Sequence, residues 1–299
     1  MKANTGMSYI PLHVHTEYSL LDGMSTVKEL FDRANELRMP AIAITDHGTM
    51  AGVKDFFNHA KRFYPDIKPI LGNEIYFAGC PNHNQKEGER KRYYHLILLA
   101  KNLRGYNNLC KISSTAAAGD IYKGRAIVDY DTLVANHEGL ICMSACIGGE
   151  IPQYILKDDM EGAEMTLKQY REIFGDDFFL EVSLHPTKRE GDSNEIELLQ
   201  RKANEAMFKL GKKFDIPVVA TNDSHFTYKH QATAHDEMLA INCGKKVSDK
   251  NRLHYTGEEY LKSGQEMLEL FPQHPEAVFN TQLVADNIER YDIDAPPEC

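Results

Sequence analysis

Short, almost wholly apolar runs in this chain end repeatedly in a cluster of histidine and carboxylate residues, and a helical pattern follows each. Ala41-Ile42-Ala43-Ile44-Thr45 leads into Asp46-His47-Gly48, and Val218-Val219-Ala220 leads into Thr221-Asn222-Asp223-Ser224-His225. A run without polar alternation is what a strand covered on both faces requires. The cover is legible too. Thr26 is placed to cap a helix with Val27, Leu30, Phe31, Ala34 and Leu37 on one stripe, stopped by Arg38-Met39-Pro40; Val53, Phe56, Phe57, Ala60 and Phe63 form the stripe of the next. Further strands are expected at 9–15, 69–77, 94–100, 139–144, 178–183 and 217–221, with helices at 106–117 and 194–214.

Strand, loop and helix in that order predict mainly parallel strands joined by helical crossovers. In an open sheet the outer strand ends lie too far apart to share a pocket, whereas in a barrel they converge. The polar clusters therefore predict a closed or nearly closed α/β barrel. After about residue 236 the pattern changes. Turn signals at Gly244-Lys245-Lys246 and Tyr255-Thr256-Gly257 precede helices expected at 258–271 and 275–291, and the tail 292–299 has linker composition. The expected organisation is a barrel over residues 8–235 with a helical extension over 236–299.

Composition narrows the function classes. With 42% hydrophobic and 26% charged residues the chain reads as an ordinary folded protein. A net charge of -10 argues against a protein that coats duplex DNA regardless of sequence, but clustered divalent metals would reverse the local field, so a nucleic-acid substrate stays open. No apolar run is long enough for a bilayer and the N-terminus lacks a signal-peptide core, so a cytoplasmic location without membrane partners is expected. Cys80, Cys110, Cys142, Cys146, Cys243 and Cys299 are too scattered for a disulfide framework, and no second pair completes a zinc knuckle with Cys142 and Cys146.

The polar clusters are individually ambiguous. His13 and His15 share one side of a strand and can grip a common ion, or are simply polar strand residues. Asp22 before Gly23 reads alone as a turn former. His47 is a ligand candidate, whereas Asp46 is weighted towards orienting a ring or making a turn. Glu74 interrupts an apolar strand, where a carboxylate is costly without a cation or donors. His95 is equally a ligand and a core or capping histidine, and Cys146 alone reads as a buried thiol. Asp223 and His225 close a strand end.

Together these groups suffice for two or three divalent ions. Zinc or manganese is expected, with magnesium an option that the softness of Cys146 disfavours. Such a centre suits phosphate-ester hydrolysis, with His13, His15, His47, Glu74, Asp223 and His225 acting through the metals and Glu74 or Asp223 bridging them. His225 or His47 would alternatively assist proton transfer.

His13-x-His15, Thr45-Asp46-His47-Gly48, Leu71-Gly72-x-Glu74, His95-Leu96-x-Leu98-Leu99-Ala100 and Asn222-Asp223-x-His225 resemble, in that order, the polymerase and histidinol phosphatase (PHP) domain. Tyr18-Ser19-Leu20-Leu21-Asp22-Gly23, Lys68-Pro69-Ile70-Leu71-Gly72 and Gly148-Gly149-Glu150 narrow the likeness to the branch at the N-terminus of bacterial replicative DNA polymerases, over residues 8–290. The resemblance implies a distorted seven-stranded (β/α) barrel binding up to three metals. Its ligands would be His13, His15, Asp22, His47, Glu74, His95, Cys146, Asp223 and His225, all present.

It also implies a metal-dependent 3′–5′ exonuclease acting on a DNA primer terminus, within a DNA-directed DNA polymerase. The partners would then be that polymerase's remaining domains in cis, the sliding clamp and other replisome subunits. Two alternatives stay open: a small-molecule phosphatase of the histidinol phosphatase type, and a non-catalytic, metal-stabilised docking module. Lys86, Arg90, Lys91, Arg92, Arg104 and Lys123-Gly124-Arg125 read either as phosphate-facing or as solvated loops.

Overall fold

The computed structural model describes residues 8–81, 93–119, 121–187, 194–249 and 251–294. The basic run from Lys86 to Arg92 and the tail 295–299 lie outside the described residues. In chain order the elements are α1 (Val27–Glu36), β1 (Ala41–Ile44), α2 (Val53–Phe63), β2 (Lys68–Phe77), β3 (Tyr94–Ala100), α3 (Leu103–Ala118), β4 (Ile121–Tyr122), β5 (Arg125–Val128), α4 (Tyr130–Ala135) and β6 (Leu140–Met143). There follow α5 (Glu150–Leu156), α6 (Met160–Phe174), β7 (Phe178–Ser183), α7 (Glu195–Phe214), β8 (Val218–Thr221), α8 (Ala232–Asn242), α9 (Gly264–Leu270) and α10 (Pro275–Asn287). Thr26 caps α1 in a reciprocal box with Glu29, as its spacing from the apolar stripe predicts.

The sheet is mixed where the sequence pattern predicts mainly parallel strands. β1 pairs with β2 in parallel, and β6, β7 and β8 are parallel to one another, but β3 runs antiparallel between β2 and β6. A parallel return needs a crossover, usually a helix; the polar sequence between Phe77 and Tyr94 offers no apolar stripe that such a helix would bury. β4 and β5 form a hairpin that the sequence did not signal, joined to the end of β2 through Tyr76 opposite Ile127 and Phe77 opposite Val128.

The barrel closes through the N-terminal run, which is not a regular strand. Ala43 N–H donates to Pro11 O at 3.0 Å and Thr45 N–H to Val14 O at 2.9 Å, so three steps of the run match two of β1. On its other edge Ser224 N–H donates to His13 O and His15 N–H to Ser224 O. The extra residue is a bulge, and a bulge resets the in-and-out alternation of side chains. Ile10 and Leu12 therefore pack in the interior with Ala41 and Ala43, Val14 packs outside, and His13 and His15 both turn inward at the mouth. With this run the staves number seven: the run, β1, β2, β3, β6, β7 and β8. The expected distorted seven-stave barrel with a C-terminal helical extension is thus present, the β4–β5 hairpin lying beside it.

Ile70, Ile97, Leu99, Ile141, Met143, Phe179 and Val219 fill the interior, and Val284, Ala285 and Ile288 of the extension join them. Lys68 Nζ donates to the carbonyls of Ala285 and Ile288 where α10 ends, satisfying acceptors left open at a helix C-terminus. Residues 258–263 are not helical, where the sequence predicts helix, and Tyr260 instead bridges to Phe226. Leu261 N–H donates to Phe226 O, and Asn222 Nδ2 donates to the carbonyls of Glu258 and Tyr260. This backbone is committed to the β8 exit loop, and α9 starts only after Ser263 and Glu266 form a capping box.

Ile288 is 2% exposed. Ile288→Ala is expected to lower the unfolding free energy by about 2–5 kcal/mol, read as a shift in the urea midpoint; an unchanged midpoint would show that α10 does not close the barrel.

Candidate metal centre

The side chains at the mouth come from separate stave ends. His13 and His15 leave the bulged run, His47 follows β1, Glu74 lies within β2, and Asp223 and His225 follow β8. His95 stands at the start of β3, not its end. Because β3 is reversed, its N-terminal end lies at the mouth beside Glu74. Asp22 arrives on a turn that only glycine completes: a Cβ on Gly23 would lie 2.1 Å from Thr16 O. Asp223 has φ of +43°, a left-handed conformation costing a non-glycine residue about 1–2 kcal/mol.

Glu74 is the hub. Its Oε2 lies 2.6 Å from His47 Nδ1, 3.3 Å from His15 Nε2 and 3.5 Å from His13 Nε2, and its Oε1 accepts from His95 Nδ1 at 2.7 Å. Asp223 Oδ1 lies 3.2 Å from both His13 Nε2 and His15 Nε2, and Asp22 Oδ2 lies 3.1 Å from His47 Nε2. Among the described residues three close groups of donor atoms result: His13, His15 and Asp223; His15, His47 and His225; and His47, Glu74 and His95.

Nε2 of His13 and of His15, Nδ1 of His47, Oε2 of Glu74 and Oδ1 of Asp22 and Asp223 are buried without a hydrogen bond. Buried polar atoms are rarely left so, and convergent lone pairs of this kind fit divalent cations. The electrostatics agree. Burial alone would raise the Glu74 and Asp223 pKa values. The surrounding imidazoles, chiefly His95, His47 and His13 for Glu74 and His13 and His225 for Asp223, instead hold them well below the ordinary range. Burial disfavours a charged His13, yet Asp223, Glu181 and Glu74 raise its pKa well above normal. His225 is lowered to about 4 by burial and by His15, leaving it neutral. The mouth demands positive charge, which divalent ions would supply.

A supporting layer fixes the rings. His13 donates from Nδ1 to Glu181 Oε1 at 2.7 Å, and Thr221 Oγ1 donates to the same oxygen at 2.6 Å. His15 Nδ1 pairs with Ser19 Oγ at 3.0 Å, and Ser19 donates to Asp46 Oδ1, which also accepts Thr16 N–H. Asp46 thus positions the loop and does not face the donor groups, the role its place in the sequence favours. Glu181 escaped the sequence reading, though a lone carboxylate within Phe178-Phe179-Leu180-Glu181-Val182-Ser183 is the signal that marked Glu74. Tyr255 was missed as well: its hydroxyl lies 3.3 Å from His225 Nε2, and its ring stacks on His235, whose Nε2 donates to Asp22 O. Only a turn signal marked it.

Cys146 is half-buried and outside the three close groups. Burial pushes its thiol pKa up, and Asp223 and Glu74 add to the rise. Glu150 is a buried anchor that accepts Cys80 N–H and the Tyr170 hydroxyl.

A barrel whose mouth gathers imidazoles and carboxylates from successive staves into groups able to hold metal ions defines an α/β domain with a candidate metal centre. The chain belongs to the PHP domain family, whose profile matches residues 11–185. It is similar to the DNA polymerase III subunit alpha of Borreliella burgdorferi, with 41% identity over 290 residues, covering 96% of this chain and 24% of that protein. The same subunit of Treponema pallidum is 40% identical over 93% of this chain and 23% of that protein, and that of Helicobacter pylori 37% identical over 96% and 23%. The chain spans about a quarter of the length of these relatives.

Glu181→Gln is expected to weaken binding of the first equivalents of zinc or manganese by about 10- to 100-fold, measured by chelator competition; unchanged affinity would mean that His13 is no ligand. Restoring zinc or manganese to chelator-stripped protein should raise the thermal midpoint, because binding to the folded state alone stabilises it; scanning calorimetry with and without metal checks this.

Proposed function

We propose that this chain is the PHP domain of a DNA polymerase III alpha subunit and hydrolyses phosphodiesters from a DNA 3′ terminus with the help of divalent metals. The observation that carries the reading is Glu74, a buried carboxylate that faces His13, His15, His47 and His95 together and so suits a bridge between ions. The nine residues His13, His15, Asp22, His47, Glu74, His95, Cys146, Asp223 and His225 are the proposed ligands, Cys146 completing the set as a thiolate suited to zinc. When bound, two or three ions of zinc or manganese, with magnesium as a further option, would lower the pKa of a water and neutralise phosphoryl oxygens.

The chain's own residues do the positioning. Glu181 holds His13 and Ser19 holds His15 with Nε2 turned to the mouth. Burial, reinforced by Asp22 and Asp223, raises the Tyr255 pKa well above normal, so its hydroxyl stays protonated beside His225 and can donate to a phosphoryl oxygen. No described helix is long and apolar enough to cross a membrane; a cytoplasmic setting belongs to this proposal. So do the polymerase domains in cis beyond the extension 236–299, and the sliding clamp and other replisome subunits as partners.

Chelator-stripped protein with zinc, manganese or magnesium restored should release nucleotides from a 3′-labelled, mismatched primer-template, and an Asp223→Asn, His225→Ala double variant should not. Phosphate release from small monoesters alone would point to the histidinol phosphatase type. A folded, metal-loaded chain that releases neither would be a docking module.

A further inference from the structure

α8 aims a histidine at the mouth that the proposed ligand set leaves out. The buried residues of this helix are His235, Leu239 and Ala240, and packing alone would be served as well by an apolar side chain at the first of them. His235 is 1% exposed and commits its ring to a carbonyl 213 residues away in the chain, Nε2 donating to Asp22 O at 2.7 Å. The ring is held on its other sides. It is near-parallel to Tyr255 with centroids 5.3 Å apart, and lies 5.0 Å from Phe226 and 6.0 Å from His225. The next residue, Asp236, accepts from Arg252 Nη2 at 2.7 Å, and the same nitrogen donates to Val247 O. The start of α8 therefore anchors the loop that brings Tyr255 in as well as the turn that carries Asp22.

Asp22 depends on such an anchor more than the other proposed ligands do, because it sits on a turn and not at a stave end. Its N–H donates to Ser19 O at 3.0 Å, and two residues on Met24 N–H donates to His225 O at 2.7 Å. With its N–H held by Ser19 and its carbonyl by His235, the peptide planes on both sides of Asp22 are fixed. The carboxylate is thereby delivered to one place. Its Oδ2 lies 3.1 Å from His47 Nε2 and 4.0 Å from His225 Nε2, and its Oδ1 is buried without a hydrogen bond. Without the imidazole N–H, the Asp22 carbonyl would have to turn towards another donor, and the carboxylate would turn with it.

We propose that His235 is a positioning residue for the metal centre: its Nε2–H holds the Asp22 peptide so that the Asp22 carboxylate reaches an ion shared with His15, His47 and His225. His235 touches no ion itself. The inference rests on the mouth being a metal centre and is independent of which ester is cut there. Outer partners that touch a ligand side chain are worth about 10- to 100-fold in affinity; acting through a peptide unit, His235 belongs at the lower end of that range.

The test is chelator competition with zinc alone on the whole chain, which resolves the binding steps and their affinities. His235→Phe keeps a ring against Tyr255 and removes the donor, whereas His235→Gln removes the ring and puts an amide N–H near the place of Nε2. Wild type should take up zinc in more than one step. His235→Phe should weaken one step by about tenfold and leave the others unchanged, and His235→Gln should keep that step close to wild type. Asp22→Asn should weaken the same step, and His235→Phe added to it should cost nothing further, because the two act on one interaction. Thermal midpoints in chelator show that each variant folds; should His235→Phe not fold, His235→Asn, whose shorter amide does not reach the Asp22 carbonyl, takes its place. A lower midpoint in chelator with wild-type zinc binding would overturn the inference and make His235 a packing residue. Additive losses in the double variant would overturn the route through Asp22. Wild type that binds no zinc would remove the metal-centre reading itself, and the inference with it.

Discussion

A carboxylate with 1% of its surface exposed cannot keep its charge unaided, and Glu74 keeps it only because imidazoles surround it. Those rings come from three separate stretches of chain: the N-terminal run, the loop after β1 and the start of β3. Their convergence requires the barrel to be closed, β3 to be reversed and the N-terminal run to be bulged. Replace Glu74 by an apolar residue and the histidines lose the charge they face; open the barrel and Glu74 loses them. The centre and the closure are two descriptions of one constraint.

That constraint extends outward through hydrogen bonds. Glu181 is tied to Thr221 and to the Ser144 hydroxyl, which accepts the Glu181 N–H, so three staves agree on where His13 points. Asp46 collects Thr16 and Ser19 and fixes His15. The extension takes part as well. His225 N–H donates to Glu259 O, Asn222 is held by the carbonyls of Glu258 and Tyr260, and Tyr255 faces His225. A segment that reads from sequence as an appendage supplies the outer wall of the mouth. In metal sites generally, partners that orient a ring in this way are worth about 10- to 100-fold in metal affinity.

Much of this was legible in the residues. β1 and β8 announce themselves as apolar runs, Thr26 marks the start of α1, and the polar residues at stave ends imply a barrel before any geometry is known. What stayed hidden was whatever depends on a partner distant in sequence. Nothing within Tyr94 to Ala100 states its direction, which follows from its neighbours β2 and β6. Nothing in 258–263 says that its carbonyls are claimed by Asn222, and local propensity suggests helix. Glu181 differs: its signal was present and was overlooked beside the louder histidines. Tyr255 carried no signal, because a tyrosine near a turn is ordinary until its neighbours are placed.

The bulge between Pro11 and Val14 makes the register of backbone pairing itself a determinant of chemistry. Its additional residue turns two histidines inward above two aliphatic side chains that already point the same way. Were the run to pair with β1 residue for residue, without the bulge, the alternation would run unbroken and carry Val14 to the mouth and His13 and His15 to the helical layer, with every side chain unchanged in kind. A barrel of this shape therefore stands a one-residue shift in pairing away from a mouth without its first pair of imidazoles. That distance is measured in register, not in residue identity.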